Sequence, residues 1–248
     1  MAIDARAVVD PSAVLGDGVE IGPFAIVGAG VTVGAGTRLM PHAVVLGPAT
    51  LGARNVVHPF AVVGGPPQHR AMGGRATPLE CGDDNEFREH VTVHRGTAEG
   101  PTRIGKGNLF MAGCHVGHDA TIGDGCVVAN GTQLAGHVVI GDHVTFGGLA
   151  GIAQRVRIGD GAFVAAGAMC ERDAPPFLIT AGDRARPRAV NRIGLERRGV
   201  SAASIAELER LFRALYLGDA PHASALASLT SDDALGIALL RFLRERRN

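Results

Sequence analysis

The sequence predicts an all-β parallel β-helix built from hexapeptide repeats, followed by a small C-terminal α-helical domain. Three observations predict this fold class. An aliphatic residue recurs at every sixth position from Ile3 to Val63 without a miss. A small or β-branched residue stands two positions before nearly all of these aliphatic residues, and glycine often follows them. Beyond about residue 201 the apolar spacing changes to the spacing of a helix.

Each hexapeptide describes one short strand and one turn. Side chains alternate along a strand, so a large inward residue and the small residue two positions earlier both face a narrow interior. The glycine next to them supplies the turn. Three hexapeptides make one triangular coil, so residues eighteen apart should stack in columns. No helical spacing separates the strands, which excludes an ordinary α/β fold.

The repeat predicts a shaft over residues 1–180 with two excursions. The aliphatic positions return at Cys81, Phe87 and Val93, change phase once, and then run from Ile104 to Cys170. Residues near 64–80 and 97–103 are therefore predicted to leave the shaft as loops. Residues 181–248 are predicted to form a linker and the helical domain that caps the open end of the shaft.

Two helices are predicted within this C-terminal part. The first begins after Ser201, a suitable N-cap, and ends before Gly218. The second covers about 232–246, and the arginines near its end suit the negative end of a helix dipole.

Composition agrees with a narrow aliphatic core and limits the partners. The 248 residues include 36 Gly, one Tyr and no Trp, and Lys+Arg equals Asp+Glu at 24 each. This balance does not indicate a nucleic acid or an anionic membrane surface as partner. No stretch reaches transmembrane length, so we expect a cytoplasmic protein without membrane insertion. All four cysteines fall on inward positions, which predicts buried thiols rather than metal ligands or disulfides.

The densest polar cluster is the run CHVGHD at 114–119. Val116 points inward, so His115, His118 and Asp119 are expected at outward or corner positions. A histidine beside a carboxylate suits general-base catalysis, since the unperturbed pKa of imidazole lies near neutrality.

Eighteen-residue columns bring further groups to the same strip of the shaft. The column of His118 continues through Gly136 to Gln154, and the column of Asp119 reaches His137. A glycine N–H in this place suits an oxyanion. Zinc held by His115, His118 and His137 is an alternative, but His118 would then lose its role as a base, and we predict no metal.

Four runs give the chain a specific resemblance to a known family. They are REHVTVHRGT at 88–97, NLFMAGCHVGHD at 108–119, LAGH at 134–137 and VNRIGLERRG at 190–199. In this order, and over nearly the whole chain, they resemble the UDP-N-acetylglucosamine O-acyltransferases that begin lipid A synthesis. The resemblance implies a left-handed β-helix, a homotrimer with active sites between neighbouring shafts, and a 3-hydroxyacyl donor on acyl carrier protein. The carrier's phosphopantetheine thioester is then a co-substrate, and no resident cofactor is expected.

The resemblance also implies a role for each matched residue. His118 would deprotonate the sugar hydroxyl, Asp119 would orient His118, and the Gly136 N–H would hold the oxyanion. Substrate binding would involve His115, His137, Gln154, Gln68, His69, Arg70, Asn191, Arg197 and Arg198, and Ala166 and Arg184 would border the acyl groove. Arginine forks match phosphate geometry, which gives Arg197 and Arg198 a physical reason of their own.

The departures from the family pattern gather around the sugar nucleotide. In the first loop, the family's Asp, Lys and aromatic residue are replaced here by His69, Ala71 and Met72. The family also has a His just before Gln154 and a Glu two residues after Asn191, and these positions are Ala153 and Ile193 here. They leave the acceptor open between the 3-hydroxyl of UDP-N-acetylglucosamine and another nucleotide sugar or amine.

The acyl donor and the protein class each have a second candidate. Coenzyme A is the second candidate for the donor, and a non-catalytic sugar-nucleotide-binding scaffold is the second candidate for the class.

Two substitutions have expected consequences for the substrates. Arg70 or Arg75 is expected to replace the positive charge of the family's lysine, which is Ala71 here. Ala166, which replaces a Gly of the family, predicts an acyl chain of medium length.

Overall fold

The computed structural model describes residues 2–69 and 77–245, and its strands form three sheets along one shaft. Neighbouring strands within a sheet are three apart in chain order, because the chain visits all three sheets before it returns to the first. All pairs are parallel except the last one. The predicted parallel β-helix with a C-terminal helical part is confirmed.

The first sheet has eleven strands, the second nine and the third eight. The first sheet contains β1 (Ala2–Ile3), β4 (Glu20–Ile21), β7 (Arg38–Leu39), β10 (Val56–Val57), β13 (Glu86–Phe87), β16 (Leu109–Phe110), β19 (Val127–Val128), β22 (Thr145–Phe146), β25 (Phe163–Val164), β27 (Leu178–Ala181) and β28 (Arg186–Val190). The second contains β2 (Val8–Val9), β5 (Ile26–Val27), β8 (Val44–Val45), β11 (Val62–Gly65), β14 (Thr92–His94), β17 (His115–Val116), β20 (Gln133–Leu134), β23 (Gly151–Ile152) and β26 (Met169–Cys170). The third contains β3 (Val14–Leu15), β6 (Val31–Val33), β9 (Ala49–Leu51), β12 (Leu79–Cys81), β15 (Thr102–Ile104), β18 (Thr121–Ile122), β21 (Val139–Ile140) and β24 (Arg157–Ile158).

The core of the shaft is the set of inward positions that the repeat predicts. Strand β6 shows the alternation directly, with Val31 and Val33 buried and Thr32 exposed between them. Phe87 and Phe110 stack inside the shaft with ring centroids 5.1 Å apart. The four cysteines are free and buried, as predicted. Burial raises the pKa of the Cys81 and Cys126 thiols to about 12.

The two predicted excursions lie between strands of the shaft. The first follows β11 and ends before β12, and the second lies between the end of β14 at His94 and the start of β15 at Thr102. The excursions were predicted at about 64–80 and 97–103, so β11 ends within the first predicted loop, β12 begins within it, and β15 begins within the second. Four positions singled out in the first excursion lie outside the described residues, namely Arg70, Ala71, Met72 and Arg75.

The shaft continues past Cys170 into a short hairpin. Strand β27 pairs with β25 in parallel, and β28 returns antiparallel to β27. Four helices follow, namely α1 (Arg192–Arg197), α2 (Ala202–Tyr216), α3 (His222–Ser228) and α4 (Ala234–Arg244). The two predicted helices correspond to α2 and α4. Ser201 caps α2 as predicted, since its Oγ accepts a hydrogen bond from the Ser204 N–H at 3.1 Å.

The helices pack on one another and on the end of the shaft. The apolar face of α2 buries Leu208 and Leu211 in a cluster that also contains Leu239 of α4 and Leu178 of β27. Arg157 of the third sheet contacts α4 through a cation–π interaction, since its guanidinium lies 4.4 Å from the centre of the Phe242 ring. No described helix is both long and apolar enough to cross a membrane.

Candidate active site

His118 and Asp119 lie together at the corner between the second and third sheets. They follow β17, and Asp119 takes the left-handed turn conformation with φ +59°. Nδ1 of His118 lies 2.7 Å from Oδ2 of Asp119. Only 5% of His118 is exposed, so this hydrogen bond is largely shielded from water.

Two threonines hold Asp119 in place. Thr97 lies in the second excursion, and Thr102 is the first residue of β15. Thr97 donates its backbone N–H to Oδ1 at 2.8 Å and its hydroxyl to Oδ2 at 2.9 Å. The Asp119 N–H donates to Oγ1 of Thr102 at 2.8 Å. Burial tends to raise the pKa of the Asp119 carboxyl, but hydrogen bonds from His118 and Thr97 outweigh burial and hold it below its ordinary value. The carboxylate is therefore ionised at neutral pH.

This arrangement fixes the tautomer of His118. An ionised carboxylate only accepts hydrogen bonds, so the proton on the neutral imidazole must sit on Nδ1. Nε2 then carries the free lone pair. Within residues 2–69 and 77–245, no group forms a hydrogen bond with Nε2. His118 therefore has the form that a general base requires.

The predicted columns are present below this pair. The His137 N–H donates to the His118 carbonyl at 2.9 Å, and the Arg155 N–H donates to the Gly136 carbonyl at 3.2 Å. A Cβ at Gly136 would come within 2.8 Å of Cε1 and 2.9 Å of Nε2 of His118, so the imidazole packs directly on this glycine. No acceptor among the described residues takes the Gly136 N–H, which leaves it available to a ligand.

His118 lines a cleft of about 570 Å³ on the outer face of the second sheet. The predicted site residues that line this cleft are His115, His118, Gly136, Gln154 and Gln68, together with the departure Ala153. His69 lies at the rim, and its ring is edge-on to His118 with centroids 5.3 Å apart. The cleft continues down the shaft as far as Met169 and Glu171.

His94 is a lining residue to which the sequence analysis assigned no role. It is 9% exposed, and its ring is edge-on to His115 at a centroid distance of 5.1 Å. Nδ1 of His115 is hydrogen-bonded to the Thr92 hydroxyl at 2.9 Å. Burial lowers the pKa of both imidazoles, and the nearby His118 lowers both further. The run HRGT at 94–97 could have indicated these site residues from the sequence, since it contains both His94 and Thr97.

His137 lies beside the pair and does not line the cleft. Its Nε2 is 3.6 Å from Oδ2 of Asp119, and its Nδ1 is 3.7 Å from Oε2 of Glu99. Burial lowers the pKa of His137, which keeps the imidazole neutral at pH 7.

The geometry at these residues suits proton transfer better than metal binding. Among the described residues, one group has ligand atoms close enough for a metal ion, and it consists of His118, Asp119 and His137. The alternative zinc set weighed in the sequence had His115 in place of Asp119, and the described residues do not bring that set together. Within the observed group, Nδ1 of His118 donates a hydrogen bond to Oδ2 of Asp119 over 2.7 Å, and Thr97 donates to both carboxylate oxygens. These atoms are therefore already engaged in hydrogen bonds.

Besides Asp119, His69 and His137, five predicted residues do not line the cleft of their own chain. They are Asn191, Arg197, Arg198, Ala166 and Arg184. Asn191 has a structural role, since it caps α1 by accepting from the Gly194 N–H and donates from Nδ2 to the Gly161 carbonyl at 3.0 Å. The other four residues are exposed.

Two family models match the chain. The model described as "Udp N-acetylglucosamine O-acyltransferase; Domain 2" matches residues 173–248. The model described as "Bacterial transferase hexapeptide (six repeats)" matches residues 30–65, 101–136 and 137–172. The first match covers the hairpin and the helices, and the second covers much of the shaft.

Curated proteins and solved structures agree with these models. An acyl-[acyl-carrier-protein]–UDP-N-acetylglucosamine O-acyltransferase of Stenotrophomonas maltophilia is 47% identical, covering 97% of this chain and 94% of that protein. The protein of that name from Alkalilimnicola ehrlichii is 52% identical over 86% of this chain and 84% of its own length. LpxA from Acinetobacter baumannii superposes with a TM-score of 0.91 at 34% identity, covering 97% of this chain and 95% of that one. LpxA from Bacteroides fragilis, a UDP-N-acetylglucosamine acyltransferase, superposes with a TM-score of 0.92 at 32% identity, covering 98% of this chain and 96% of that one. A coil of the opposite hand would not superpose so well, so the left-handed winding is also supported.

Proposed function

The chain belongs to the UDP-N-acetylglucosamine O-acyltransferase family, and we propose that it transfers a 3-hydroxyacyl chain from acyl carrier protein to the 3-hydroxyl of UDP-N-acetylglucosamine. The observation that carries the proposal is the His118–Asp119 pair, hydrogen-bonded at 2.7 Å, with His118 on the wall of a cleft of about 570 Å³. The names of the relatives from Stenotrophomonas maltophilia and Alkalilimnicola ehrlichii give acyl-[acyl-carrier-protein] as donor and UDP-N-acetylglucosamine as acceptor.

His118 acts as the general base in the proposed reaction. Nε2 takes the proton of the sugar 3-hydroxyl while the oxygen attacks the thioester carbonyl carbon. The imidazole becomes a cation in this step, and the adjacent Asp119 carboxylate stabilises it. Because Asp119 accepts three hydrogen bonds, its negative charge is fixed in place before the reaction begins.

The Gly136 N–H holds the negative oxygen of the tetrahedral intermediate. Gly136 packs directly against the imidazole, and its N–H has no partner among the described residues. When the intermediate collapses, the carbon–sulfur bond breaks and the new ester remains. The proton on His118 passes to the leaving sulfur, so the base is restored and the carrier's thiol is released.

The proposal includes no resident cofactor or metal. The thioester supplies an activated acyl group, so the step needs only a base and an oxyanion donor. Neutral imidazoles at His94, His115 and His137 add donors and acceptors around the cleft without adding charge, since burial lowers the pKa of each.

The proposed assembly is a homotrimer in the cytoplasm. In one chain the cleft is open on one side, and Asn191, Arg197 and Arg198 lie away from it. A neighbouring shaft placed along the second sheet would close the cleft and could bring these arginines to the nucleotide phosphates. Size-exclusion chromatography with light scattering should give a mass of three chains.

The test is a mass-spectrometric acyl-transfer assay with purified protein. The donors are 3-hydroxyacyl carrier proteins of several lengths and the matching coenzyme A thioesters, and the acceptors are UDP-N-acetylglucosamine and its 3-amino analogue. We expect an ester of UDP-N-acetylglucosamine from the carrier-protein donors. Product only from coenzyme A would contradict the proposed donor, and product only with the amino acceptor would contradict the proposed acceptor.

A further inference from the structure

We infer that Thr97 is a positioning residue of the acyl-transfer site, whose hydroxyl holds the Asp119 carboxylate that orients His118. The inference rests on the proposed function, because it assigns Thr97 a part in that reaction. It also assigns a role to the second excursion, which carries Thr97 to Asp119.

The contact geometry supports a positioning role. The Thr97 hydroxyl and Nδ1 of His118 donate to the same oxygen of Asp119, at 2.9 Å and 2.7 Å. The hydroxyl therefore fixes the oxygen that the imidazole depends on. Only 5% of the Asp119 side chain is exposed, so water has little room to replace a lost donor.

The excursion is what brings Thr97 to this place. In an uninterrupted shaft, the residue stacked on Asp119 would stand eighteen positions earlier, which is Pro101. Proline has neither a hydroxyl nor an N–H to donate. Thr97 is 22 positions before Asp119, and the extra residues form the loop between β14 and β15.

Contacts with Thr77 of the first excursion and with Thr102 at the start of β15 hold this part of the second excursion against Asp119. The Thr77 hydroxyl donates to the Thr97 carbonyl at 2.6 Å. Thr102, fully buried at the far end of the excursion, accepts the Asp119 N–H at 2.8 Å. Both ends of the loop therefore meet the same aspartate.

The expected pH effect has a definite sign. Burial raises the pKa of the Asp119 carboxyl, but hydrogen bonds from His118 and Thr97 outweigh burial and hold it below its ordinary value. Removal of the Thr97 hydroxyl takes away one of these bonds, so the Asp119 pKa rises. The carboxylate then attracts the proton on His118 more strongly, so the low-pH limb of the kcat/KM profile, which reports the base His118, moves to higher pH.

The test compares Thr97→Val with Thr97→Ser. Valine keeps the shape and the backbone N–H but removes the hydroxyl, and serine keeps the hydroxyl. We expect Thr97→Val to lower kcat roughly ten-fold or more, since a hydrogen bond to a charged group is lost. KM for UDP-N-acetylglucosamine should change by less than about two-fold. Thr97→Ser should restore both kcat and the low-pH limb.

Two further measurements separate this role from a structural one. Thr50→Val, on the exposed side of β9, is the matched control and should behave as wild type. The Asp119 carboxyl pKa, followed by carbon NMR in the full-length protein, should be higher in Thr97→Val. This readout does not require acyl transfer, so it also decides the inference if the proposed acceptor is wrong.

Three results would overturn the inference. One is a Thr97→Val protein with wild-type kcat and an unmoved low-pH limb. Another is a Thr97→Ser protein as impaired as Thr97→Val, and the third is an unchanged Asp119 pKa. If valine prevents folding, Thr97→Cys, with its weaker donor, should give an intermediate kcat, and wild-type kcat would be contrary. A wild-type protein that acylates no UDP-N-acetylglucosamine contradicts the proposed function instead.

Discussion

Gly136→Ala should inactivate the protein without unfolding it, because His118 occupies the space that a methyl group needs. The added Cβ would lie 2.8 Å from Cε1 and 2.9 Å from Nε2 of the imidazole. Carbon atoms prefer separations of about 3.5–4.0 Å, so the ring must move by roughly 0.7 Å. The oxyanion donor itself is retained, since alanine keeps the backbone N–H.

The magnitude follows from this displacement. A misplacement near 1 Å can cost about 100-fold in rate. This factor corresponds to about 2.7 kcal/mol in activation free energy. We therefore expect kcat of Gly136→Ala to fall by about two orders of magnitude in the acyl-transfer assay.

The control is Gly28→Ala at the same corner of the shaft, several coils above the cleft. A Cβ there would approach Leu46 no closer than 3.5 Å, which is an ordinary contact. This variant should keep wild-type activity, and thermal unfolding should show both variants folded. Gly136→Ala with wild-type kcat would refute the reasoning, because the imidazole would then tolerate displacement from its partner Asp119.

The remaining predictions concern the core and the acyl groove. A thiol reagent at pH 8 should label none of the four cysteines in the native protein, since all are buried and the pKa of Cys81 and of Cys126 is raised to about 12; rapid labelling would contradict their inward placement. Phe110→Ala should lower the free energy of unfolding by about 3–5 kcal/mol, because the ring is fully buried against Phe87; denaturant titration with a loss below about 1 kcal/mol would be contrary. Ala166→Gly should shift the preferred acyl donor towards longer chains, and an unchanged chain-length profile would remove Ala166 from the acyl groove.

The fold was predictable because every coil repeats the same physical requirement. Alternation fixes which residues face inward, so Val31, Thr32 and Val33 could be placed from the sequence alone. Helix α2 was predictable for a similar reason, since its apolar face is long enough to show a helical period. The six-residue α1 and the seven-residue α3 are too short to show one, and the β27–β28 hairpin follows no hexapeptide rule.

The site was predictable where it follows the columns. The stacking of His137 on the His118 turn and of Arg155 on the Gly136 turn follows directly from the eighteen-residue repeat. Thr97 could not be found by this route, because the excursion breaks the repeat between it and Asp119.

Contributions from outside the shaft were harder to foresee. Asn191 was expected near the nucleotide, yet in its own chain both ends of its amide are engaged by Gly194 and Gly161. Column geometry gives no information about a residue beyond the last coil, so only the family resemblance placed Asn191 near the nucleotide.

The rate of UDP-N-acetylglucosamine acylation by His118→Ala, compared with wild type, tests the central claim most directly. Removal of a general base costs about 10²–10⁴-fold in rate. The account predicts a loss of this size from a protein with unchanged thermal unfolding and unchanged mass in solution. A His118→Ala protein that acylates UDP-N-acetylglucosamine at the wild-type rate would contradict it.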